Sequence, residues 1–351
     1  MITKKNCNLR FLMIGTGAIG TYIGGSLLVS GQDVVFIEQP ALVPEIKHQG
    51  MQLTLSGETH LLENIKIVPS INEALAYGPF DIAIVAVKSF DTKNLLEGLI
   101  PYRAALPPIL SLQNGVENEV VLSNGLGNDK VIFGTLTSAI GKIGPGKVVL
   151  EKLRGIGISA TTLLVPSLVS VFNSAGLNAK LYTNPAAMKW SKMVTNLLAN
   201  ASSAILDMTP LEVYSNPELC KLEIAQVRET LDVMSALKIP VVNLPGTPVR
   251  ALSWGINILP FNIIQPILKK VVGAGRGGKM PSFHIDLMSR RGLSEVDYLN
   301  GAVVRYGSKV GVDTPVNLVL TETLMALTKG ALDINDFRHQ PEKLIARINY
   351  R

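Results

Sequence analysis

The sequence predicts an α/β, Rossmann-type, doubly wound N-terminal domain followed by a mostly α-helical C-terminal domain. Short apolar runs alternate with helical patterns in the first half of the chain, which is the order of a parallel sheet covered by helices on both faces. A glycine-rich turn follows the first of these runs. After Asn184-Pro185 the strand signals fade and long helical patterns replace them. Because 351 residues exceed the usual size of one core, we predict two domains, at 8–183 and 184–351.

The elements of the first domain are short and regularly spaced. A strand over 9–14 precedes a helix over 18–30, which ends before Gly31, where a C-cap glycine belongs. Alternating apolar residues among the glycines of 134–160 indicate a hairpin near the edge of the sheet. The other predicted elements are strands over 33–37, 81–87, 109–112 and 131–133, and helices over 71–77, 92–99, 186–206, 219–237 and 293–310.

Composition and charge indicate the class of protein and the kinds of partner to expect. With 47% hydrophobic and 17% charged residues, the chain is typical of a packed globular protein. Its basic residues are scattered and none forms a stretch interleaved with aromatic residues, so the net charge of +6 suits anionic small molecules and nucleic acid is not an expected partner. Cys7 and Cys220 have no CxxC spacing, and the four histidines stand apart from one another, so we expect no disulfide and no metal.

One apolar stretch, 251–273, raises the question of a membrane. Pro260, Pro266 and the Lys269-Lys270 pair interrupt it, whereas a membrane-spanning helix needs about 20 consecutive apolar residues. We therefore expect a buried or lid-forming helical insertion and no membrane partner. No export signal is visible, which predicts a cytoplasmic protein.

The glycine-rich turn has the GxGxxG pattern between a predicted strand and a predicted helix. Gly15 would permit the tight turn, Gly17 would let a pyrophosphate approach the backbone, and Gly20 would let the helix pack closely on the strand. The N–H groups at the start of the helix add partial positive charge. The residues that this pattern assigns to dinucleotide binding are Gly15, Thr16, Gly17, Ala18, Ile19 and Gly20.

Two charged residues extend the predicted cofactor site. Glu38 stands at the end of the second strand, 23 residues after Gly15, where a carboxylate accepts hydrogen bonds from the adenosine ribose of NAD and repels a 2′-phosphate. No arginine follows it, so the residues favour NADH. Lys88 follows the strand over 81–87, at the sheet edge where ligands bind, although a solvated surface lysine fits its position equally well.

A polar stripe marks the second domain. Lys192, Asn196 and Asn200 recur every four residues, so they would share one face of the helix predicted over 186–206. Such a stripe lines either a cleft or an internal hydrogen-bonded row. Further along, Glu295 begins a helical pattern, where it could reach a facing helix or serve only as a charge that the helix dipole stabilises.

Several separated motifs, in this order along the chain, resemble those of the ketopantoate reductases (2-dehydropantoate 2-reductases), within the 6-phosphogluconate-dehydrogenase-like group. The motifs are GTGAIG, VAVKSFDT, LQNGVEN, KMVTNLLAN and SEVDYLNG, the last following MPSFHIDL. The resemblance spans nearly the whole chain and implies NAD(P)H-dependent reduction of 2-dehydropantoate to pantoate, a step of pantothenate and coenzyme A biosynthesis.

The resemblance also implies roles for particular residues. Lys192 would be the general acid, Asn114 would help to position the nicotinamide and the substrate, and Lys88 would contact the cofactor. Glu295 would pair with the substrate hydroxyl or orient Lys192. The residues that would hold the substrate hydroxyl and carboxylate are Asn196, Asn200 and Ser282.

The chain departs from the family pattern in two places. Family members usually prefer NADPH and carry a basic residue near the position of Glu38, so the resemblance favours NADPH where the residue itself favours NADH. The stretch from 240 to 280 is also longer than in compact members. A reductase of another 2-keto or hydroxy acid, or a dinucleotide-sensing protein without turnover, therefore stays open. A homodimer is compatible with the sequence.

Overall fold

The computed structural model describes residues 8–159, 164–273 and 278–349 and contains the predicted alternation of strands and helices. The chain divides into two units. Unit 1 extends to Lys189 and includes Leu244–Thr247, and unit 2 holds Trp190–Asn243 and the chain from Pro248 onward. This division lies six residues after the predicted boundary at 183/184, because the helix that begins at Pro185 crosses from one unit into the other.

Unit 1 is built on an eight-stranded sheet. Its strands stand in the order β12-β11-β8-β7-β6-β1-β2-β5, and all neighbours are parallel except β8 and β11. The strands of unit 1 are β1 (Arg10–Ile14), β2 (Asp33–Ile37), β3 (Met51–Leu55), β4 (Glu58–Leu62), β5 (Lys66–Val68), β6 (Ile82–Val85), β7 (Ile109–Ser111), β8 (Val131–Leu136), β9 (Ala139–Gly144), β10 (Lys147–Lys152), β11 (Ile156–Ser159) and β12 (Ala179–Tyr182). The helices are α1 (Ala18–Val29), α2 (Val43–Gln49), α3 (Ile71–Leu75), α4 (Thr92–Leu99), α5 (Asn118–Leu126) and α6 (Val165–Ser174).

Burial on both faces explains why the central strands are continuous apolar runs. In β1, Phe11 and Met13 join one apolar core, whereas Leu12 and Ile14 join a second core on the other face of the sheet. The chain order reverses between β1 and β6, so the carboxyl ends of these two strands form the crevice where doubly wound folds bind ligands. The predicted fold class is confirmed.

The hairpin predicted within 134–160 exists, but its predicted place at the edge of the main sheet is wrong. Strands β9 and β10 pair with each other and join β3 and β4 in a separate four-stranded sheet, in the order β4-β3-β10-β9. Helix α1 packs on this second sheet, with Gly25 directly against Leu53. Pairing between β3 and β10 spans about a hundred residues of sequence, which local patterns do not reveal.

The regular elements of unit 2 are helical throughout its described residues. No helix of the described ranges is long and apolar enough to cross a membrane. A π-helical turn, Lys269–Gly273, follows α12, and a 3-10 helix, Glu295–Tyr298, precedes α14. The helices that lie wholly or partly in this unit are α7 (Pro185–Leu197), α8 (Ala201–Leu206), α9 (Pro210–Ser215), α10 (Pro217–Ala236), α11 (Val249–Ile258), α12 (Phe261–Leu268), α13 (Ser282–Met288), α14 (Asn300–Val310), α15 (Pro315–Thr328) and α16 (Pro341–Asn349).

The single helix predicted over 186–206 is two helices, because the chain turns sharply between α7 and α8. Ala199 adopts a φ of 50°, which no helix permits. A fully buried carboxylate, Glu223 on α10, accepts hydrogen bonds from the Ala199 N–H (2.5 Å) and the Ser202 hydroxyl (2.6 Å). Burial raises the pKa of Glu223. The turn thus exists because a buried acceptor offers the backbone an alternative to the helical hydrogen bond.

Candidate active site

The glycine turn between β1 and α1 has the geometry that its sequence predicts. Gly15 adopts a φ of 94°, and its N–H donates to the Ile37 carbonyl at 2.9 Å. A Cβ on Gly20 would stand 1.8 Å from the Gly15 carbonyl oxygen, whereas a Cβ on Gly17 would meet no atom within 4 Å. Gly20 is therefore required by the chain itself, and Gly17 leaves open space beside the first turn of α1. The N–H groups of Ala18 and Ile19 stand in that turn and have no intrahelical acceptors.

Glu38 is fixed beside this turn. Its Oε2 accepts hydrogen bonds from the backbone N–H of Thr16 (2.7 Å) and the Thr16 hydroxyl (2.5 Å), and its Oε1 accepts from the Gln39 N–H (2.7 Å). Thr16 is buried and Glu38 is half-buried. The structure therefore brings together the two ends of the predicted dinucleotide site, at the carboxyl ends of β1 and β2.

A second polar network joins the segments that follow β6 and β7. The Gln113 side-chain amide donates to the Lys88 carbonyl at 3.4 Å. The Asn114 carbonyl accepts from the Ser89 hydroxyl (3.0 Å) and from the Asn118 amide (2.6 Å). Lys88 and Asn114, each half-buried, are thus held on neighbouring loops at the carboxyl edge of the sheet. Both residues were predicted from the sequence, whereas the Gln113 and Asn118 amides that link their loops were not.

A buried ion pair that was not predicted from the sequence anchors the start of α7. The Lys189 ammonium lies 2.6 Å from the Glu119 carboxylate, with the side chains 3% and 0% exposed. The same ammonium donates to the carbonyls of Gln113 (2.6 Å) and Gly134 (3.2 Å). One cation therefore links α5, β8 and the residue before Asn114. The available signal was a second lysine, three residues before Lys192, in a largely apolar helix.

The polar stripe of α7 is only partly as predicted. Lys192 and Asn196 share one face of α7 and are half-buried, but Asn200 lies beyond the end of that helix and is 5% exposed. The Asn200 amide donates to the Asn196 carbonyl (3.0 Å) and to the Ser282 hydroxyl (3.4 Å), and its oxygen accepts from the Phe283 N–H (3.1 Å). The turn after α7 thus brings Asn196, Asn200 and Ser282 together by tertiary contacts rather than by helical spacing.

Glu295 is buried at the start of the 3-10 helix that precedes α14. Its neighbour Ser294 caps this helix by accepting from the Val296 N–H at 3.2 Å. The predicted cofactor residues all belong to unit 1, and Lys192, Ser282 and Glu295 belong to unit 2. Within the described ranges, no group of histidine, cysteine, aspartate or glutamate residues could hold a metal ion.

Comparison with known proteins gives matches over both halves of the chain. The family model for ketopantoate reductase PanE/ApbA matches residues 11–161, and the model for the C-terminal part of that family matches residues 184–328. A 2-dehydropantoate 2-reductase of Pyrococcus horikoshii is 27% identical over 321 residues, which cover 89% of this chain and 95% of the relative.

Solved structures show the same fold. A PanE/ApbA family ketopantoate reductase from Ralstonia eutropha superposes with a TM-score of 0.77 at 24% identity, covering 91% of this chain and 99% of that one. A ternary structure of D-mandelate dehydrogenase with NADH and anilino(oxo)acetate superposes with a TM-score of 0.74 at 24% identity, covering 93% and 99%.

The different surroundings of Gly20 and Gly17 predict opposite outcomes for substitution by alanine. Gly20→Ala forces a Cβ into the Gly15 carbonyl, so we expect it to lower the free energy of unfolding by about 3 kcal/mol or more. In Gly17→Ala the added Cβ meets open space, so the melting temperature of this variant should stay near that of the wild type. Its dinucleotide affinity should fall about tenfold or more. Thermal unfolding and titration of reduced nicotinamide fluorescence measure the two effects. A Gly17→Ala protein that binds dinucleotide like the wild type would contradict this assignment.

The buried ion pair predicts a large stability loss on one-sided removal. Lys189→Met strands the Glu119 carboxylate in the interior, so we expect a cost of about 3–5 kcal/mol in urea unfolding. The double variant Lys189→Met with Glu119→Met removes both charges and should recover most of that loss. Equal stability of the wild type and the single variant would show that the pair is unimportant.

Proposed function

Because the chain belongs to the ketopantoate reductase family, we propose that it reduces 2-dehydropantoate to pantoate. The family makes it an oxidoreductase that acts on a CH–OH group, with a nicotinamide dinucleotide as cofactor and a small molecule as substrate. The observation that supports the proposal most is the pair Lys192 and Asn196 on one face of α7, in a chain whose other unit carries a complete GxGxxG turn.

The residues of unit 1 fit a dinucleotide. Gly17 has open space beside the first turn of α1, where the N–H groups of Ala18 and Ile19 would hold a pyrophosphate. Glu38 would accept hydrogen bonds from the adenosine ribose, and Lys88 and Asn114 would contact the nicotinamide side at the carboxyl edge of the sheet. When bound, the reduced nicotinamide supplies the hydride.

Lys192 is the proton donor in this proposal. Negative charge develops on the substrate oxygen as the ketone carbon is reduced, and an ammonium group within hydrogen-bonding reach stabilises that charge and gives up its proton. Of the two α7 lysines, Lys189 is surrounded by three buried acceptors, whereas Lys192 is half-exposed and can recover a proton from water. Lys192 is therefore the better suited of the two.

The neighbouring polar residues would orient the substrate. The Asn196 amide offers a donor and an acceptor to a hydroxyl or carboxylate without adding charge. The Asn200 side chain already forms hydrogen bonds with Ser282 and Phe283, so its role would be to hold the Ser282 hydroxyl in place for the substrate. Glu295 would pair with the substrate hydroxyl or orient Lys192.

A second candidate is the reduction of a different 2-keto acid. D-Mandelate dehydrogenase shares this fold, so the fold alone does not select the side chain of the substrate. The cofactor preference is likewise a proposal of its own. We favour NADH, because the Glu38 carboxylate is fixed at the end of β2, where a 2′-phosphate would meet its charge. A dinucleotide sensor without turnover would not need the lysine and asparagine of α7.

Turnover of ketopantoate with NADH or NADPH, followed by reduced-nicotinamide absorbance, tests the reaction. Lys192→Ala should lower kcat by about 10²- to 10⁴-fold and leave the Kd for dinucleotide unchanged. Lys329→Ala, an exposed lysine at the end of α15, is the matched control and should match the wild type. Full activity of Lys192→Ala would refute its role as the acid. Turnover of another 2-keto acid in place of ketopantoate would favour the second candidate.

Glu38→Gln tests the cofactor preference. The glutamine keeps an acceptor for Thr16 but removes the charge, so kcat/KM with NADPH should rise relative to NADH by roughly tenfold, as expected for a partly screened charge repulsion. Glu45→Gln, an exposed acid on α2, should leave the ratio unchanged. An unchanged ratio in Glu38→Gln would show that another residue sets the preference.

A further inference from the structure

Exposed large apolar side chains are concentrated in one stretch of unit 2. Of the 17 exposed large hydrophobic residues found in the described part of the chain, eight lie between 254 and 293. Scattered exposed apolar residues are normal, but a concentration of them marks an interaction surface. The eight are Trp254, Ile258, Ile263, Ile267, Val271, Ile285, Met288 and Leu293.

The first five lie on α11, α12 and the π-helical turn that follows α12. Trp254 and Ile258 stand four residues apart on α11, and Ile263 and Ile267 do so on α12, so each pair shares one helix face. The face of α11 opposite Trp254 is buried through Ile256, and the face of α12 next to its exposed isoleucines is buried through Ile264 and Leu268. The two helices also touch, since a Cβ on Gly255 would lie 3.3 Å from Ile264. Packing within the chain therefore accounts for only one apolar face of each helix.

The stretch of sequence that contains these helices has an uneven charge. Residues 249–293 hold seven of the 33 lysines and arginines but one of the 27 acidic residues, so they carry the whole net charge of +6 and the remainder is balanced. Asp286 is the one acidic residue of this stretch, although Glu229 and Asp232 of α10 line the groove beside Leu259 and Ile264. Lys269 and Lys270 are exposed directly after α12, in the turn between Ile267 and Val271.

We propose that this α11–α12 surface (Trp254, Ile258, Ile263, Ile267 and Val271, with Lys269 and Lys270) binds an anionic lipid bilayer. An amphipathic helix pair lies in the plane of a bilayer when its apolar side chains enter the acyl boundary and its lysines meet anionic headgroups. Each lysine near such a surface raises affinity about fivefold. The surface therefore meets both requirements for peripheral attachment, and the attachment is independent of the proposed reaction.

The charge pattern disfavours the other occupants. In a two-fold dimer the same patch faces itself, and because the patch contains no acidic residue, neither lysine would find a carboxylate of the patch on the other copy. Nucleic acid would use the lysines but leave the exposed isoleucines without a role. The inference departs from the expectation of no membrane partner, which rested on membrane-spanning segments alone.

Trp254 provides a direct readout of vesicle binding. Of the two tryptophans, Trp254 is 59% exposed and Trp190 is 3% exposed, so a change in polarity at the α11–α12 surface alters mainly Trp254. We expect the emission to shift to the blue with phosphatidylcholine vesicles that contain phosphatidylglycerol, and not with phosphatidylcholine alone. Co-sedimentation should follow the same order and weaken as salt is added. Trp254→Phe should lose most of the spectral shift while still sedimenting with the anionic vesicles.

Matched variants separate charge from apolar contact. Lys269→Ala with Lys270→Ala should weaken binding roughly 25-fold, and Ile263→Ser with Ile267→Ser should abolish the Trp254 shift. The controls, Lys142→Ala with Lys152→Ala and Ile143→Ser, change exposed residues of β9 and β10 and should leave binding unchanged. All variants should keep the melting temperature and turnover of the wild type. Equal binding to neutral vesicles, no binding to either kind, or a dimer that Ile263→Ser with Ile267→Ser dissociates would each overturn the proposal.

Discussion

The buried ammonium of Lys189 is the contact on which the carboxyl edge of the sheet depends. It pairs with Glu119 on α5 and is 3% exposed, so the two carbonyl groups that it also binds must stand at fixed positions. One of these carbonyls belongs to Gln113, whose side chain in turn holds the loop that carries Lys88. A single cation thus orders the start of α7 and the two loops that hold the predicted nicotinamide contacts. Lys192 follows one helical turn later on the same α7.

Sequence patterns predicted the parts of the fold that depend on burial and on contacts between residues close together in the chain. The central strands are buried on both faces, so their apolar runs are unbroken, and the glycine turn is required by contacts between Gly15 and Gly20 five residues apart. The separate sheet was missed because its pairing joins β3 to β10 across a long interval. The break after α7 was missed because its cause, Glu223, lies on another helix.

Some features of the candidate site were predicted from the sequence and others were not. Helical spacing predicted that Lys192 and Asn196 share a face, and the family resemblance is confirmed by the matches to both family models. The roles assigned to these residues stay predictions. Helical spacing did not predict the position of Asn200, because the contacts of this residue are tertiary. It did not predict the buried ion pair of Lys189 either, because a lysine on a helix is usually solvated and Glu119 is 70 residues away in sequence. Buried polar pairing is a property of the fold that one-dimensional patterns do not carry.

The turn between α7 and α8 also makes the stability of the folded protein depend on pH. Because burial raises the pKa of Glu223 above its value in the unfolded chain, the folded protein binds a proton at this group more tightly than the unfolded chain does. The stability from this group is complete below the unfolded pKa and declines as the pH rises through the folded pKa. Burial also raises the pKa of Glu229, on the same α10, so this group changes stability with pH in the same direction. Mildly acidic solution thus favours the packing of α10 against the turn, and alkaline solution opposes it.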